Sequence, residues 1–360
     1  MSRMNGENAI RRSSIAMFCL GLGAVGCGDA TPGSIGDSLD LATEPAESVD
    51  MAIAGPPRDM ARHKPVDLAT APPPDLALAP ITGSVGPSGG KVSRLFFAMN
   101  GDTRGTDCNM DQEYPTQVIN QIYDQMNAAK VEFAVDLGDH MFVCQNGTQN
   151  MADTQMGYYV AATKHLAGKT TFLTLGNHDC VSMTNPNYCA VGGFETVNFR
   201  AFMNALAPIS SKPYYSVDIQ TDAGLARFVF IADNAWSQAQ KTWLEQTLGD
   251  ADKNAKYTIV VRHHPLDNTD MPDFQTISGI VKAHKYTLHL TGHTHEFRQD
   301  HWNDGSGRTF IIGNGGAPLA QNFTWYGYAT VEQVANGNLV LTAYDAMTNN
   351  PMGSFTVAPQ

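Results

Sequence analysis

Apolar runs rich in β-branched and aromatic residues alternate with polar stretches between residues 91 and 360. Short runs of this kind, bounded by Gly, Pro, Asn and Asp, are typical of buried β-strands. The predicted strands are Arg94–Met99, Val131–Leu137, Thr170–Leu175, Tyr214–Ile219, Phe228–Ala232, Tyr257–Val261, Tyr286–Leu290, Thr309–Ile312 and Leu339–Tyr344. We therefore expect one folded domain over residues 91–360.

Two stretches between these strands have the period of an amphipathic helix. Their apolar stripes are Tyr114, Val118, Ile122 and Met126, and then Trp243, Leu244 and Leu248. Strands and helices alternate in the first half of the domain, whereas the later strands follow one another more closely. The mixture predicts a mixed α/β fold in which β-sheets pack together between helices.

Residues 28–90 have a different composition, rich in Pro, Ala, Gly and Asp and without an aromatic residue. A short unit of Asp, then Leu or Met, then Ala recurs within this stretch. Such a sequence cannot bury enough apolar area to offset the backbone entropy lost on folding. We predict a disordered tether whose mean reach is roughly 45 Å.

Residues 1–27 combine three arginines with an apolar run, Ile15–Val25. This run is shorter than the ~20 residues of a membrane-spanning helix, so it predicts a signal peptide and an exported protein. The segment Ala24–Cys27 resembles the lipobox of bacterial lipoproteins. The resemblance implies a lipid on Cys27 that anchors the chain to a bacterial membrane, facing the periplasm or the cell exterior. An ordinary signal peptide cleaved nearby is the alternative.

Four cysteines fall within the predicted domain, namely Cys108, Cys144, Cys180 and Cys189. An even number of cysteines in an exported chain permits two disulfides. Cys180 and Cys189 flank a turn-forming Asn-Pro-Asn, which suits a local disulfide. Cys108 is then left to pair with Cys144. The two other connectivities stay open at this point.

The net charge of −12 bears on the choice of partner. Proteins bind the phosphate backbone of nucleic acids through clustered Lys and Arg, and this sequence has no basic stripe. We therefore expect no nucleic-acid partner, although a nucleotide substrate stays compatible with the charge.

Polar motifs follow the ends of several predicted strands, where open α/β sheets place their ligand-binding loops. In chain order they are Asn100-Gly101-Asp102-Thr103-Arg104, Gly138-Asp139, Gly176-Asn177-His178-Asp179, His263-His264-Pro265 and Gly292-His293-Thr294-His295. Carboxylate, amide and imidazole groups are the ligands of borderline ions such as Zn, Mn, Fe or Ni. The motifs therefore predict a metal centre.

This order of GD, GD, GNHD, HxP-like and GHxH motifs resembles the calcineurin-like metallophosphoesterases, and Gly313–Pro318 is similar to their purple-acid-phosphatase-like branch. The resemblance covers essentially all of residues 91–360. It implies a four-layer α/β/β/α sandwich of two mixed β-sheets flanked by helices. It also implies hydrolysis of phosphate esters with two metal ions, such as Fe, Mn or Zn, as cofactors.

The resemblance assigns six metal ligands to two positions. The first position consists of Asp102, Asp139 and His295, and the second position consists of Asp139, Asn177, His263 and His293. Asp139 would bridge ions about 3.5–4 Å apart, and a hydroxide between them would attack phosphorus. His178 would protonate or stabilise the leaving oxygen, with Asp179 orienting its imidazole.

Two residues depart from the family pattern at the first position. Arg104 stands where many relatives have an additional histidine ligand, and Phe142 stands where purple acid phosphatases have a tyrosinate. A guanidinium cannot bind a cation, but it donates paired hydrogen bonds to phosphate oxygens. We therefore expect Arg104 to bind substrate phosphate or to offset transition-state charge. A structural salt bridge with a nearby carboxylate is the alternative.

The motifs leave His264 and His140 without an assigned role. The HxP-like element makes His263 the ligand, so His264 either faces substrate or packs inside the fold. His140 fits no motif and is expected to be an ordinary polar or core histidine.

Because the first position has fewer ligands, a catalytically impaired surface module that binds a partner competes with the enzyme hypothesis. Retention of the ligand histidines together with Asn177 and His178 favours the enzyme.

Overall fold

The computed structural model describes residues 78–144, 146–180, 189, 196–266, 272–300 and 307–360. The predicted signal segment, the lipidation site at Cys27 and most of the predicted tether lie outside these ranges. No α-helix within them is both long enough and apolar enough to cross a membrane.

The described residues form strands and α-helices along the whole of the predicted domain. The strands are β1 Gly83–Gly86, β2 Gly89–Val92, β3 Phe96–Asn100, β4 Phe133–Asp136, β5 Thr171–Phe172, β6 Tyr215–Thr221, β7 Gly224–Phe230, β8 Tyr257–Val261, β9 Leu288–Thr291, β10 Phe297–Asp300, β11 Thr309–Ile312, β12 Gly327–Gln333, β13 Leu339–Asp345 and β14 Pro351–Val357. The helices are α1 Thr116–Ala128, α2 Gln149–Thr163, α3 Val197–Leu206, α4 Gln238–Asn254 and α5 Pro272–Lys282.

Ser and Thr side chains set the start of three helices. Thr148 precedes α2, Thr196 precedes α3 and Ser237 precedes α4, and each side-chain oxygen accepts a backbone N–H from the first turn of its helix. The first N–H groups of a helix have no partner within it, so such caps fix where the helix begins. The predicted apolar stripe around Ile122 lies in α1, and the one around Leu244 lies in α4.

The strands form two mixed sheets. An eight-stranded sheet has the order β1-β2-β6-β7-β8-β9-β11-β10, and a six-stranded sheet has the order β14-β13-β12-β3-β4-β5. β3, β4 and β5 are parallel neighbours in the six-stranded sheet, and β7, β8, β9 and β11 are parallel neighbours in the eight-stranded sheet. Parallel strands have their carboxyl ends at one edge, so the loops that follow them share a region.

The two sheets pack face to face through aromatic residues. Phe97 of β3 stacks on Phe133 of β4 with ring centroids 5.1 Å apart. Phe228 of β7 meets these two rings edge-on, at 5.1 and 5.4 Å. Stacked and edge-to-face rings stabilise a core beyond the area they bury. The next residue of β7, Val229, belongs to a separate apolar cluster with residues of α4 and α5, as alternation along a strand requires.

Helices cover the outer face of each sheet. α1 contacts β12 of the six-stranded sheet and packs against α2, which packs against α3. α4 contacts β7 of the eight-stranded sheet and packs against α5. The layers therefore follow the order α/β/β/α, and the predicted mixed α/β sandwich is confirmed.

Two disulfides connect loops of the domain. Cys108 pairs with Cys144, with Cα atoms 5.7 Å apart, and Cys180 pairs with Cys189, with Cα atoms 4.5 Å apart. Of the connectivities left open by the sequence, this is the one that the local spacing of Cys180 and Cys189 favoured.

The folded part of the chain begins earlier than predicted. β1 and β2 form an antiparallel hairpin with Gly83 opposite Val92, and β2 also pairs in parallel with β6. Assigning all of residues 28–90 to a tether was therefore wrong for the hairpin. Glycine-rich sequence shows no polar–apolar alternation, yet glycine is needed here. Gly89 has a φ of +96°, and a Cβ at this residue would clash with the Asp218 carbonyl oxygen.

Candidate metal centre

Main-chain hydrogen bonds join the loops that carry the predicted ligands. Asp102, after β3, donates its backbone N–H to the Gly138 carbonyl oxygen after β4 at 2.8 Å. Gly292, after β9, donates to the carbonyl oxygen of His263, after β8, at 3.0 Å. His293, after β9 of the eight-stranded sheet, donates its backbone N–H to Asp102 Oδ2, after β3 of the six-stranded sheet, at 2.8 Å. The ends of strands from both sheets therefore present their side chains to one shared region.

Four of the six predicted ligands have a left-handed backbone conformation. Their φ angles are 58° at Asp102, 63° at Asp139, 77° at His293 and 54° at His295. Residues with a Cβ adopt this conformation uncommonly, because the Cβ crowds the following carbonyl oxygen. Strain of this kind persists where surrounding contacts enforce it, and it clusters at functional sites. Its concentration at four ligand positions supports a functional role for these loops.

Glycine is needed beside the ligands because the loops approach too closely for a side chain. A Cβ at Gly176 would clash with the Asp139 carboxylate, and a Cβ at Gly292 would clash with the Asp102 carboxylate. The glycines of the GNHD and GHxH motifs therefore allow the close approach that brings the ligands together.

Three donor atoms converge at the second position. Asn177 Oδ1 lies 3.0 Å from His263 Nε2 and 3.1 Å from His293 Nδ1, and the two nitrogens lie 3.3 Å apart. His263 Nδ1 lies 2.8 Å from the Leu137 carbonyl oxygen. A hydrogen bond from Nδ1–H to that carbonyl leaves the lone pair of the neutral ring on Nε2, which is the tautomer that a metal ligand needs.

Asp102 and His295 are the candidate ligands of the first position, and one ligand atom from each of Asp102, Asp139 and His263 lies within 4.8 Å of the others. Asp102 Oδ1 is 3.4 Å from His295 Nε2, and Asp139 Oδ1 is 3.4 Å from His263 Nε2. His295 Nδ1 lies 2.6 Å from the Pro318 carbonyl oxygen, which orients the ring as the Leu137 carbonyl orients His263. The structure thus brings the predicted ligands of both positions together around Asp139.

Burial and neighbouring charge act differently on the two carboxylates. Burial raises the pKa of Asp102 well above its usual value, partly opposed by the charge of His263. Burial would also raise the pKa of Asp139, but the charges of His263 and Arg104 outweigh it and hold this pKa well below its usual range. Burial lowers the pKa of His293 well below its usual value, so the ring is neutral near pH 7, as ligation requires.

The residues at both positions fit a bound cation. Asp102 Oδ1 is buried and has no hydrogen-bond partner among the described residues, and a carboxylate oxygen in that state favours a cation or a proton beside it. Burial would lower the pKa of His263, but the Asp139 carboxylate outweighs it and raises the pKa to about 10. Carboxylate charge thus draws positive charge to the centre, and a metal ion would supply it without a proton on His263.

Arg104 lies against the first position. Its Nε is 3.7 Å from Asp139 Oδ2 and its Nη2 is 3.5 Å from His295 Nε2. The guanidinium lies over the Phe142 ring, 4.5 Å from its centroid. The two residues that depart from the family pattern are therefore in contact. Stacking on Phe142 fixes the plane of the guanidinium, and its charge stays next to Asp139.

His178 and Asp179 do not form the predicted pair. His178 Nε2 lies 3.9 Å from Asp139 Oδ2, so the ring borders the metal centre. The Asp179 carboxylate instead accepts hydrogen bonds from three backbone N–H groups, including those of Asp139 and His140, and lies 2.9 Å from His140 Nδ1. Among the described residues His178 Nδ1 has no hydrogen-bond partner. The expected orientation of His178 by Asp179 was wrong, because that carboxylate holds the Asp139 loop.

His140 is buried as expected, but its contacts give it a role that no motif revealed. Its Nε2 lies 2.7 Å from Asp136 Oδ1 and its Nδ1 lies 2.9 Å from Asp179 Oδ2. Burial would lower the pKa of His140, but the two carboxylates outweigh it and raise the pKa well above its usual value. The imidazolium therefore ties the loop of Asp139 to the GNHD loop. Its place directly after Asp139 was the available signal.

His264 lies next to the second position, at the end of a buried polar chain. Its backbone N–H and its Nδ1 each lie 3.1 Å from Asp233 Oδ2, and Arg262 Nε lies 3.1 Å from the same oxygen. Burial lowers the pKa of His264 to about 4, so its ring is neutral near pH 7. One ring nitrogen from each of His263, His264 and His293 lies within 4.8 Å of the others.

Comparison of the sequence with protein families gives one match. The model of the calcineurin-like phosphoesterase family matches residues 107–297, a little over half of the chain. The matched range begins after Asp102 and includes the other five predicted ligands. No curated protein sequence matches the chain.

Several solved structures share the fold. Purple acid phosphatase PPD1 from yellow lupin (Lupinus luteus) seeds superposes with a TM-score of 0.53 at 17% identity, over 74% of this chain and 54% of that one. The chain thus spans about half the length of the lupin enzyme. GAP50, the anchor in the inner membrane complex of Plasmodium, superposes with a TM-score of 0.53 at 18% identity, over 74% of this chain and 90% of that one. A dimetal phosphatase from Danio rerio superposes with a TM-score of 0.51 at 12% identity, over 74% of this chain and 99% of that one.

Proposed function

The chain belongs to the calcineurin-like phosphoesterase family, and on this premise we propose that it is a metal-dependent phosphoesterase. In this proposal the substrates are small-molecule phosphate esters, and hydrolysis occurs at the two metal positions. Arg104 and His178 border these positions and act on the substrate.

The convergence of three donor atoms at the second position carries the proposal. Asn177 Oδ1, His263 Nε2 and His293 Nδ1 lie within 3.0–3.3 Å of one another and are directed to a point that a borderline metal ion suits. The buried Asp102 Oδ1, without a hydrogen-bond partner in the described part of the chain, independently supports an ion at the first position.

Two ions at these positions would supply a water-derived nucleophile near neutral pH and would neutralise charge on the phosphate. Asp139 holds the two positions together through its two oxygens, which face His263 on one side and Arg104 on the other. The Arg104 ion pair with Asp139, at 3.7 Å, is too long for a hydrogen bond. Arg104 Nη1 donates to the Gly105 carbonyl oxygen at 3.1 Å, whereas Nε is buried without a hydrogen-bond partner among the described residues. Nε can therefore donate to a phosphate oxygen, which supports the substrate-binding role over the structural salt bridge.

His178 borders the site with Nε2 facing Asp139. Burial lowers the pKa of His178 to about 4, so the free enzyme holds this ring neutral near pH 7. A bound phosphate carries negative charge, which would raise the pKa of His178. His178 would then donate a hydrogen bond, and finally a proton, to the leaving oxygen.

The proposed location is the outside of a bacterial membrane, with the chain anchored through a lipid on Cys27. The lipobox-like sequence supports this placement, although Cys27 lies outside the described residues. The Cys108–Cys144 and Cys180–Cys189 disulfides support an oxidising compartment such as the periplasm or the cell exterior.

The decisive experiment measures phosphate release from nitrophenyl mono- and diesters by the full chain, before and after a chelator removes metal. We expect activity to disappear with the chelator and to return with Mn, Zn or Fe. Asp102→Asn is the control, because it removes one charged ligand with almost no change of size. If the protein binds metal but hydrolyses none of these esters with any of the ions, a partner-binding module without catalysis becomes the better interpretation.

A further inference from the structure

His264 has two neighbours that belong to the second position. It directly follows the ligand His263, and its ring lies 4.2 Å, centroid to centroid, from that of His293. One ring nitrogen from each of the three histidines lies within 4.8 Å of the others. Two nitrogens bound to one ion at about 2.0–2.1 Å lie at most about 4.2 Å apart, so side chains with donor atoms this close can reach a single ion with small side-chain shifts.

Asp233 fixes which nitrogen of His264 is free for an ion. Its Oδ2 lies 3.1 Å from His264 Nδ1 and also accepts the His264 backbone N–H at 3.1 Å. Since the carboxylate accepts the Nδ1 proton, the lone pair of the neutral ring is on Nε2. A carboxylate behind the imidazole is the usual second-shell arrangement of metal-binding histidines, where it fixes the tautomer and makes the ligand more basic.

Arg262 explains why a carboxylate is kept at this buried place. The Asp233–Arg262 pair is fully buried, with Arg262 Nε 3.1 Å from Asp233 Oδ2, and Arg262 Nη1 donates to Ser278 Oγ at 3.0 Å. Burying an ion pair is costly, so the pair is weak evidence for stability alone. Orienting His264 is a function that accounts for this buried ion pair, which stability alone does not explain.

We propose that His264 is an additional ligand of the metal position formed by Asn177, His263 and His293. The inference rests on the proposed function, in which these residues hold an ion. Three imidazoles in one ligand set favour Zn or Ni over Mn, since imidazole suits the former and oxygen ligands suit the latter. His264 would therefore set which metal the second position selects.

The test compares Zn and Mn affinity, measured by competition with a coloured chelator, in the full-length protein and its variants. We expect His264→Gln to lower Zn affinity by about 10–100-fold or more, since loss of even an outer-shell partner has that effect. Mn affinity should change less. His284→Gln is the matched control, because His284 is a partly exposed histidine that also contacts an aspartate, Asp252, outside the site. Circular dichroism of the metal-free variants checks their folding.

A spectroscopic measurement keeps the inference testable if His264→Gln folds poorly. In the Co-loaded wild-type protein, a proton NMR signal from the His264 Nδ1–H should be shifted by the metal, and Asp233→Asn should alter that signal. Unchanged Zn affinity in His264→Gln, or no shifted signal from His264, would overturn the inference and leave the phosphoesterase proposal standing. A wild-type protein that binds no metal would overturn both.

Discussion

Asp139 lies close to candidate ligands of both positions, because one ligand atom from each of Asp102, Asp139 and His263 lies within 4.8 Å of the others. We expect Asp139→Asn to lower metal affinity by about 100-fold or more, given that even outer-shell losses cost 10–100-fold, and to abolish turnover. Metal analysis after gel filtration measures the effect. Asp124→Asn is the control, since Asp124 is an exposed carboxylate paired with His165. An Asp139→Asn protein that keeps two ions and near-normal activity would refute the bridging role.

His178 can act on the leaving group or on the phosphate, and the two roles predict different kinetics. If it protonates the leaving oxygen, His178→Ala should lower turnover by roughly 10²–10⁴-fold on alkyl phosphates, the usual range for a positioned general acid. The nitrophenolate leaving group needs little protonation, so the loss of turnover on nitrophenyl phosphate should be smaller. Metal content should stay unchanged, since Asn177 and not His178 is the proposed ligand. Equal losses on both esters would point to charge stabilisation instead.

Arg104 has two possible roles that differ in what its removal does to stability. If it binds substrate phosphate, Arg104→Gln should lower kcat/KM by about 10–100-fold, the equivalent of a charge-assisted hydrogen bond. Arg104→Lys should recover part of this loss, because a point charge replaces a planar pair of donors. A fall in the free energy of unfolding with unchanged kcat/KM would show that Arg104 is only a structural partner of Asp139.

The two disulfides close loops of different length and should differ in what they contribute. The bridged residues are 36 positions apart for Cys108–Cys144 and 9 apart for Cys180–Cys189. Loop-closure entropy then predicts that replacing Cys108 and Cys144 by serine lowers the free energy of unfolding by about 4 kcal/mol. Replacing Cys180 and Cys189 by serine should lower it by about 2.5 kcal/mol. Urea unfolding of the metal-free protein measures both. A larger loss for Cys180–Cys189 would show that native contacts, and not loop length, decide its contribution.

The strands that could be predicted are those with a continuous apolar run. β8 and β11 have the predicted bounds, since Tyr257–Val261 and Thr309–Ile312 are uninterrupted and fully buried. β14 was missed because it begins with Pro351 and contains Gly353, and its outward residues face away from a core. β7 begins four residues before the predicted run, at Gly224, because pairing with β6 extends a strand beyond its apolar part.

The convergence of the candidate ligands could be predicted because glycine-flanked motifs at strand ends have few other uses. The supporting contacts could not, because they depend on which loops meet in space. Asp179 lies next to His178 in sequence, yet its hydrogen bonds go to the Asp139 loop about 40 positions earlier. Likewise, nothing in the spacing of Asp233 and His264 shows that they touch.

The proposed location of the whole molecule rests on Cys27, which lies outside the described residues. If a lipid on Cys27 is the anchor, Cys27→Ser should move the protein from the membrane fraction to the soluble fraction or block its maturation, since the acyl chains supply the membrane affinity. Fractionation and metabolic labelling with a fatty acid measure this. Failure of the wild-type chain to take up the label would leave the ordinary signal peptide as the better interpretation.

The left-handed backbone at four candidate ligands lowers the stability of the fold, while the proposed chemistry requires their side chains. Each such residue costs of order 1–3 kcal/mol in the folded state. Glycine would relieve that strain at Asp102, Asp139, His293 or His295. A laboratory selection for thermal tolerance alone would thus favour the loss of these side chains and leave a sturdier, inert descendant. In the proposed phosphoesterase, selection on chemistry is the pressure that would retain them.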